Sequence, residues 1–319
     1  MGKVKLIRLL KRLFPLIGFL ILFYLILEIG LDKILDSFLK LSPIAIILSA
    51  ILTFPRLIVR NIAWQMICKK HKLRMNFWDS LKFLLIGYLY AVVTPSYVGH
   101  LVRIPYIKEV TKEPSGKIFT NILIEVILRS FSLYILMLAG AALLFRKQPE
   151  ILYVVSIYVA IALLIYWFFS NPKRGKIALK TLAKIFPKKR RDFAIYVIET
   201  FYKDFPEIKS LILPLILGGV TWLIAILQFY IVALSLDIEI PFHIFLVIYP
   251  LANAAGFIPI SSGGIGTREA VVVFLLSFFN ISPEQSLVLS LCGFFITDVL
   301  TGMYGFVISI LEGYKIVRF

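Results

Sequence analysis

Residues 210–234 read SLILPLILGGVTWLIAILQFYIVAL, a run without one charged side chain. About 20 such residues, wound as a helix, cross the ~30 Å hydrocarbon core of a bilayer. In lipid every backbone polar group needs an internal partner, so a span is a helix or part of a closed barrel. This run is apolar throughout and does not alternate, which selects the helix. Comparable runs lie near 13–31, 44–68, 83–95, 97–107, 118–145, 151–170, 242–258, 265–280 and 286–311. The 319 residues are 60% hydrophobic and 17% charged, against roughly 45–50% and 25% in soluble domains. The expected fold class is all-α, a polytopic bundle of membrane helices.

Some runs are too short to cross. Those at 83–95 and 97–107 meet at Pro95-Ser96, and those at 242–258 and 265–280 meet at Pro259-Ile-Ser-Ser-Gly-Gly-Ile-Gly266. A ~13-residue helix rises only ~20 Å, and proline and glycine at both joints favour breaks. Charge settles the topology. Segments 1–12, 69–82, 108–117, 171–209 and 312–319 hold 26 Lys and Arg, whereas 31–43, 146–150, 235–241 and 281–285 hold 4. The positive-inside rule places the first set, with both termini, in the cytoplasm. Residues 83–107 must then enter and return as a re-entrant hairpin, and 242–280 form a second one opening from outside. Six full spans and two re-entrant hairpins result, a multi-pass protein of the cell membrane. The first run has the basic start of a secretory signal but no small-residue cleavage site, so it reads as an uncleaved span.

The chain also divides in two. Residues 1–145 (spans near 13–31, 44–68 and 118–145, hairpin 83–107) run span, span, hairpin, span. Residues 146–319 (spans near 151–170, 210–234 and 286–311, hairpin 242–280, basic loop 171–209) repeat that order. Three crossings is an odd number, so the halves have opposite orientation. Their tips share a sparse pattern, Pro95-x-x-x-Gly99-x-x-x-Arg103 and Pro259-x-x-x-Gly263-x-x-x-x-Arg268. Inverted repeats with helices broken in matching places point to a transporter's midplane site. The plainer alternative is two unrelated proline and glycine breaks.

The net charge of +17 invites a nucleic-acid reading, but the apolar runs leave almost no soluble surface for such a module. Cytoplasmic loops facing anionic lipid account for it, so the expected partners are membrane lipids and no nucleic acid. In the long basic loop Lys176, Lys180 and Lys184 recur every four residues. Ile177, Leu182, Ile185 and Phe186 lie opposite, and Lys188-Lys-Arg-Arg191 follows. This is either an interfacial helix on anionic lipid or a positive-inside signal alone. Gly293, Thr297, Thr301 and Gly305 make a small-residue stripe for close helix packing. Cys68 and Cys292 have no disulfide or metal spacing; no metal or cofactor is expected.

Five basic side chains, all arginine, lie inside apolar runs: Arg56, Arg60, Arg103, Arg129 and Arg268. The acids there are Glu28 near a membrane edge, then Glu125, Glu269 and Asp298. Each charge at bilayer depth costs roughly 2.5–3.5 kcal/mol on insertion scales, so these groups should face one another or a wet cavity. Glu125 and Arg129 are four apart on one helix face. Leaving Glu28 aside, the arginines outnumber the acids by two, which suits a phosphate-bearing ligand held bidentately. Glu125, Glu269 and Asp298 then act as counter-ions, with His100 beside them. The alternatives are internal salt bridges or snorkelling to the headgroups, the latter chiefly for Arg103.

The stretches Pro95-Ser-Tyr-Val-Gly-His-Leu-Val-Arg103 and Pro259-Ile-Ser-Ser-Gly-Gly-Ile-Gly-Thr-Arg-Glu-Ala270 resemble the two signatures of a flippase-like membrane family. That family includes the transmembrane domain of lysylphosphatidylglycerol synthases. By matching position, Gly99, Arg103, Gly263, Gly264, Gly266 and Glu269 are its signature residues. His100 stands where the family has glutamate, Ser132 where an aspartate commonly follows the arginine, and Asp298 near an expected basic residue. The resemblance implies translocation of lipids or lipid-linked groups. With eight residues after the last span, the soluble aminoacyl-transfer domain of the synthases is not expected here.

The expected function is a lipid flippase-like transporter of an anionic, phosphate-bearing lipid, not an enzyme. An ion or small-solute transporter is the alternative. A membrane-embedded lipid phosphatase or transferase fits less well. Pro95-Ser96 and Gly99-His100 only faintly echo a phosphatase motif, and His71, His100 and His243 make no nucleophile and general-acid pair. The sequence carries no signal of oligomeric state.

Overall fold

A computed structural model describes residues 17–94, 98–144, 149–184, 188–203, 205–256 and 263–312. Among them every regular element is helical: α1 Ile17–Ile29, α2 Leu31–Leu39, α3 Pro43–Ile51, α4 Thr53–Lys70, α5 Phe77–Val93 and α6 Arg103–Thr111. There follow α7 Ser115–Leu144, α8 Pro149–Ser170, α9 Pro172–Ala183, α10 Lys188–Lys203 and α11 Ile212–Leu234. The chain closes with α12 Phe242–Gly256, α13 Thr267–Ser277, α14 Pro283–Phe294 and α15 Leu300–Leu311. A 3₁₀ turn, Val98–Val102, leads into α6, and a π-turn, Phe295–Val299, joins α14 to α15.

Four stretches are long and apolar enough to cross a membrane: Pro43–Lys70, Ser115–Leu143, Lys209–Leu234 and Pro283–Leu311. A fifth is counted if Val155–Phe168 and Pro172–Thr181, bent by 96° at their junction, form one broken span. The chain is an integral membrane protein. α1 is shorter than a span within the described residues.

The spanning helices turn a soluble protein inside out. On α3 and α4, Ile47, Ile51, Phe54, Ile58 and Ile62 are exposed, one stripe at helical spacing, while Arg56, Arg60 and Trp64 are buried. Lipid takes the apolar stripe and the protein keeps the charged one, because an unpaired guanidinium in hydrocarbon is costly.

The short runs fold as pairs. α5 starts at Phe77, earlier than its apolar run, because Asn76 caps it, its side chain accepting from the Asp79 N–H at 2.7 Å. The chain then doubles back. The Gly99 N–H donates to Thr94 Oγ1 at 2.8 Å, and Gly99 packs so closely on the Tyr90–Ala91 backbone that no Cβ fits. α12 and α13 likewise pack on each other, and a Cβ on Gly264 would lie 2.6 Å from Gly256 Cα. Gly263, Gly264 and Gly266 all have positive φ, a region that favours glycine. Pro95 and Pro259 lie outside the described residues.

The two pairs are exchanged between the halves of the chain. α5 packs along α15, α12 along α7, and α4 against α11. Gly305 meets the Leu85 backbone, and Gly140 does the corresponding service for α12, where its Cβ would lie 2.6 Å from Leu246 Cβ. One expectation needs correcting: segment 31–43, counted as a connection, contains the helix α2. Leu31, Leu35 and Phe38 are exposed on it while Ile34 and Ser37 are buried. Asp32, Lys33 and Asp36 form the polar edge of this amphipathic helix, and Lys40 follows as its C-cap.

Candidate functional site

The centres of the four long helices fall at or beside Arg56, Arg129, Trp222 and Thr297. A helix that spans a bilayer puts its centre near the midplane, so the polar groups of all four converge at one depth.

Glu125, on α7, is the hub. Its Oε1 accepts from Arg60 Nη2 at 2.9 Å and Nε at 3.2 Å, and its Oε2 accepts from Arg103 Nη2 at 3.0 Å. Arg129 Nε lies 4.0 Å from Oε1. Arg103 is fully buried and also donates through Nε to the His100 carbonyl at 3.0 Å. It therefore does not snorkel. Gly87 makes the space, since a Cβ there would stand 2.9 Å from Arg103 Cδ.

Aromatic faces carry the guanidinium groups: Arg60 lies 4.5 Å from the Tyr88 ring centroid, Arg103 4.7 Å from Trp64 and Arg129 5.4 Å from Trp222. Such stacking contributes about 2 kcal/mol when desolvated. His100 is buried with its ring edge-on to Tyr88 at 5.3 Å. Trp64 is itself fixed by its Nε1 donating to Asn121 Oδ1 at 2.8 Å.

Arg56 takes a second station. Its Nη2 donates to the Thr297 carbonyl and to Thr301 Oγ1 at 3.1 Å. Thr297 lies in the π-turn, where the ordinary helical ladder is interrupted and a carbonyl is released for such a bond. Asp298 accepts from Thr297 Oγ1 at 2.8 Å. A third station holds Arg268, which donates through Nη2 and Nε to Glu269 Oε1 at 3.1 and 3.3 Å and stacks 3.8 Å from the Phe294 ring. Glu269 also accepts from Ser290 at 3.3 Å and from the Gly266 N–H, capping α13. A Cβ on Gly263 would meet the Val92 carbonyl oxygen at 2.7 Å and Phe294 at 3.1 Å. The ends of the two doubled-back pairs touch here.

The structure thus gathers Arg60, Arg103, Arg129 and His100 around the Glu125 carboxylate, bonds Arg56 to the carbonyl of Thr297, whose hydroxyl meets Asp298, and pairs Arg268 with Glu269. Glu125 serves Arg60 and Arg103 more closely than its helical neighbour Arg129, a pairing that spacing along one helix could not reveal. Sequence reasoning missed Tyr88, Trp64 and Trp222, because nothing in a membrane sequence separates a stacking ring from a lipid-facing one. Ser132 uses its hydroxyl as interhelical glue, donating to the Leu215 carbonyl at 2.7 Å.

Residues 13–305 match the family described as the lysylphosphatidylglycerol synthase TM region. A UPF0104 membrane protein of Methanocaldococcus jannaschii is 23% identical over 98% of this chain and 97% of its own length. Another from Methanothermobacter thermautotrophicus is 22% identical over 85% of this chain and 86% of its own. A phosphatidylglycerol lysyltransferase of Staphylococcus xylosus is 27% identical over 83% of this chain but only 29% of its own length. With most of its length, including both glycine-bearing tips, inside that match, the chain belongs to the lysylphosphatidylglycerol synthase transmembrane-region family.

Proposed function

We propose that this protein is a lipid transporter of the flippase type, moving an anionic, phosphate-bearing lipid across the cell membrane by alternating access. The architecture in this reading is an inverted repeat, residues 1–145 and 146–319, with six spans, two re-entrant hairpins and both termini cytoplasmic. The observation that carries it is the contact of Gly263 with the Val92 carbonyl at the end of α5, in a chain whose five arginines within apolar runs are buried or nearly so. The reciprocal packing of α5 on α15 and α12 on α7 supports the repeat. The headgroup phosphate would bind the arginines beside Glu125 and replace Glu269 as the partner of Arg268, while the acyl chains stay in lipid. Glu125, Glu269 and Asp298 hold the arginines when no headgroup is bound, so the fold never carries a bare cluster of guanidinium in hydrocarbon.

Purified protein in vesicles containing a fluorescent phosphate-bearing lipid tests this with a membrane-impermeant quencher. Wild-type vesicles should lose the protected inner-leaflet signal, whereas Arg268→Gln, inserted equally well, should retain it. Flipping by the variant at the wild-type rate, or by wild type no faster than protein-free vesicles, refutes the proposal. Uptake of a soluble anion with indifference to lipid would favour solute transport instead.

A further inference from the structure

We infer that the cluster of Arg60, Arg103, Arg129 and His100 is built for a doubly charged phosphate, a phosphomonoester, in preference to the singly charged phosphodiester of ordinary phospholipids. This rests on the reading above and narrows its substrate class.

Charge is the first ground. Arg268 has Glu269 as its partner. The four other guanidinium groups, Arg56, Arg60, Arg103 and Arg129, have two carboxylates among the described residues: Glu125, facing the last three, and Asp298, bonded to the Thr297 whose carbonyl Arg56 holds, a local surplus of two positive charges. A monoester carries about −1.5 to −2 at neutral pH and neutralises that surplus; a diester leaves one buried cation unmatched.

Unmade bonds are the second. Arg60 Nη1, Arg103 Nη1 and both ring nitrogens of His100 are shut away from solvent without a hydrogen-bond partner. Such groups are costly to bury unpaired, and these four belong to one cluster. Arg60 and Arg103 share Glu125, and the Tyr88 ring carries both Arg60 and His100. A neutral imidazole offers one N–H. The cluster therefore holds three unused donors, two guanidinium and one imidazole, for the three terminal oxygens that a monoester has and a diester lacks. Arg129 has the least buried side chain of the arginines around Glu125, 12% exposed, and marks the side from which the phosphate arrives.

The test uses the full-length protein in phosphatidylcholine nanodiscs, with competition between phosphatidic acid and phosphatidylglycerol of matched chains, and with inorganic phosphate as a third competitor. Retention of phosphatidic acid should exceed that of phosphatidylglycerol by at least about tenfold, the ratio one extra charge-assisted hydrogen bond supplies. His100→Glu, which removes a donor and lowers the surplus to one, should abolish the preference. Equal retention of the two lipids by wild type overturns the inference and leaves the transporter proposal standing. A preference that survives His100→Glu overturns it too, since the discrimination then arises elsewhere. Inorganic phosphate competing as well as phosphatidic acid supports a dianion site but removes the lipid from the proposal. Retention of none of the three defeats both readings.

Discussion

Replacing Glu125 with glutamine isolates the charge on which the arginine cluster depends. The side chain keeps its shape and one acceptor oxygen, so the change is almost purely electrostatic. In the native protein the carboxylate faces Arg60 at 2.9 Å, Arg103 at 3.0 Å and Arg129 at 4.0 Å. Without it three guanidinium groups remain together with no carboxylate in contact. Breaking a buried ion pair by removing one partner costs about 3–5 kcal/mol. At roughly 2 °C per kcal/mol for a chain of this size, the unfolding midpoint should fall by about 6–10 °C. The assay is thermal unfolding in detergent, with the exposed Glu109→Gln as reference. Adding Arg60→Gln to the Glu125→Gln background should recover part of the loss, because one surplus cation is removed. A Glu125→Gln midpoint equal to the reference, or a double variant less stable than the single one, would refute the reasoning.

Two further outcomes follow from particular contacts. Gly87→Ala should destabilise by about 1–3 kcal/mol, the usual cost of overpacking, despite alanine's better helix propensity. Its Cβ would meet Arg103 Cδ at 2.9 Å, and a raised midpoint in the same melt would count against that crowding. On the basic loop, Lys180 Nζ donates to Glu199 Oε1 at 2.7 Å and holds the Glu199 carboxyl below its ordinary range. A depressed carboxylate contributes stability that is present above its unfolded pKa and lost as pH falls through the folded one. Hydrogen exchange in α9 and α10 should therefore rise on acidification through that window, modestly because the pair is exposed. It should change less in Glu199→Gln, and equal pH profiles would remove the pair from the account.

Much of the fold was legible without coordinates, for reasons tied to individual residues. The runs that became Pro43–Lys70, Ser115–Leu143, Lys209–Leu234 and Pro283–Leu311 announce themselves because lipid admits long uncharged helices and little else. The five arginines stood out because charge is rare there. α2 escaped notice because a short amphipathic helix alternates charged and apolar residues as a surface loop does. The π-turn at Thr297 was invisible, since no residue type marks one.

Sequence by itself determined that this chain crosses a membrane as helices, where those helices break and which charges they carry inward, because each follows from the local cost of putting a side chain or a free backbone group into hydrocarbon. Partnership was decided only by the tertiary structure. That Glu125 answers Arg60 and Arg103 before its own helical neighbour, and that Arg56 finds the Thr297 carbonyl on a distant helix, depends on which helix faces are brought together. Charge-assisted hydrogen bonds form only at about 2.7–3.2 Å, so the site came into view only once the bundle had closed.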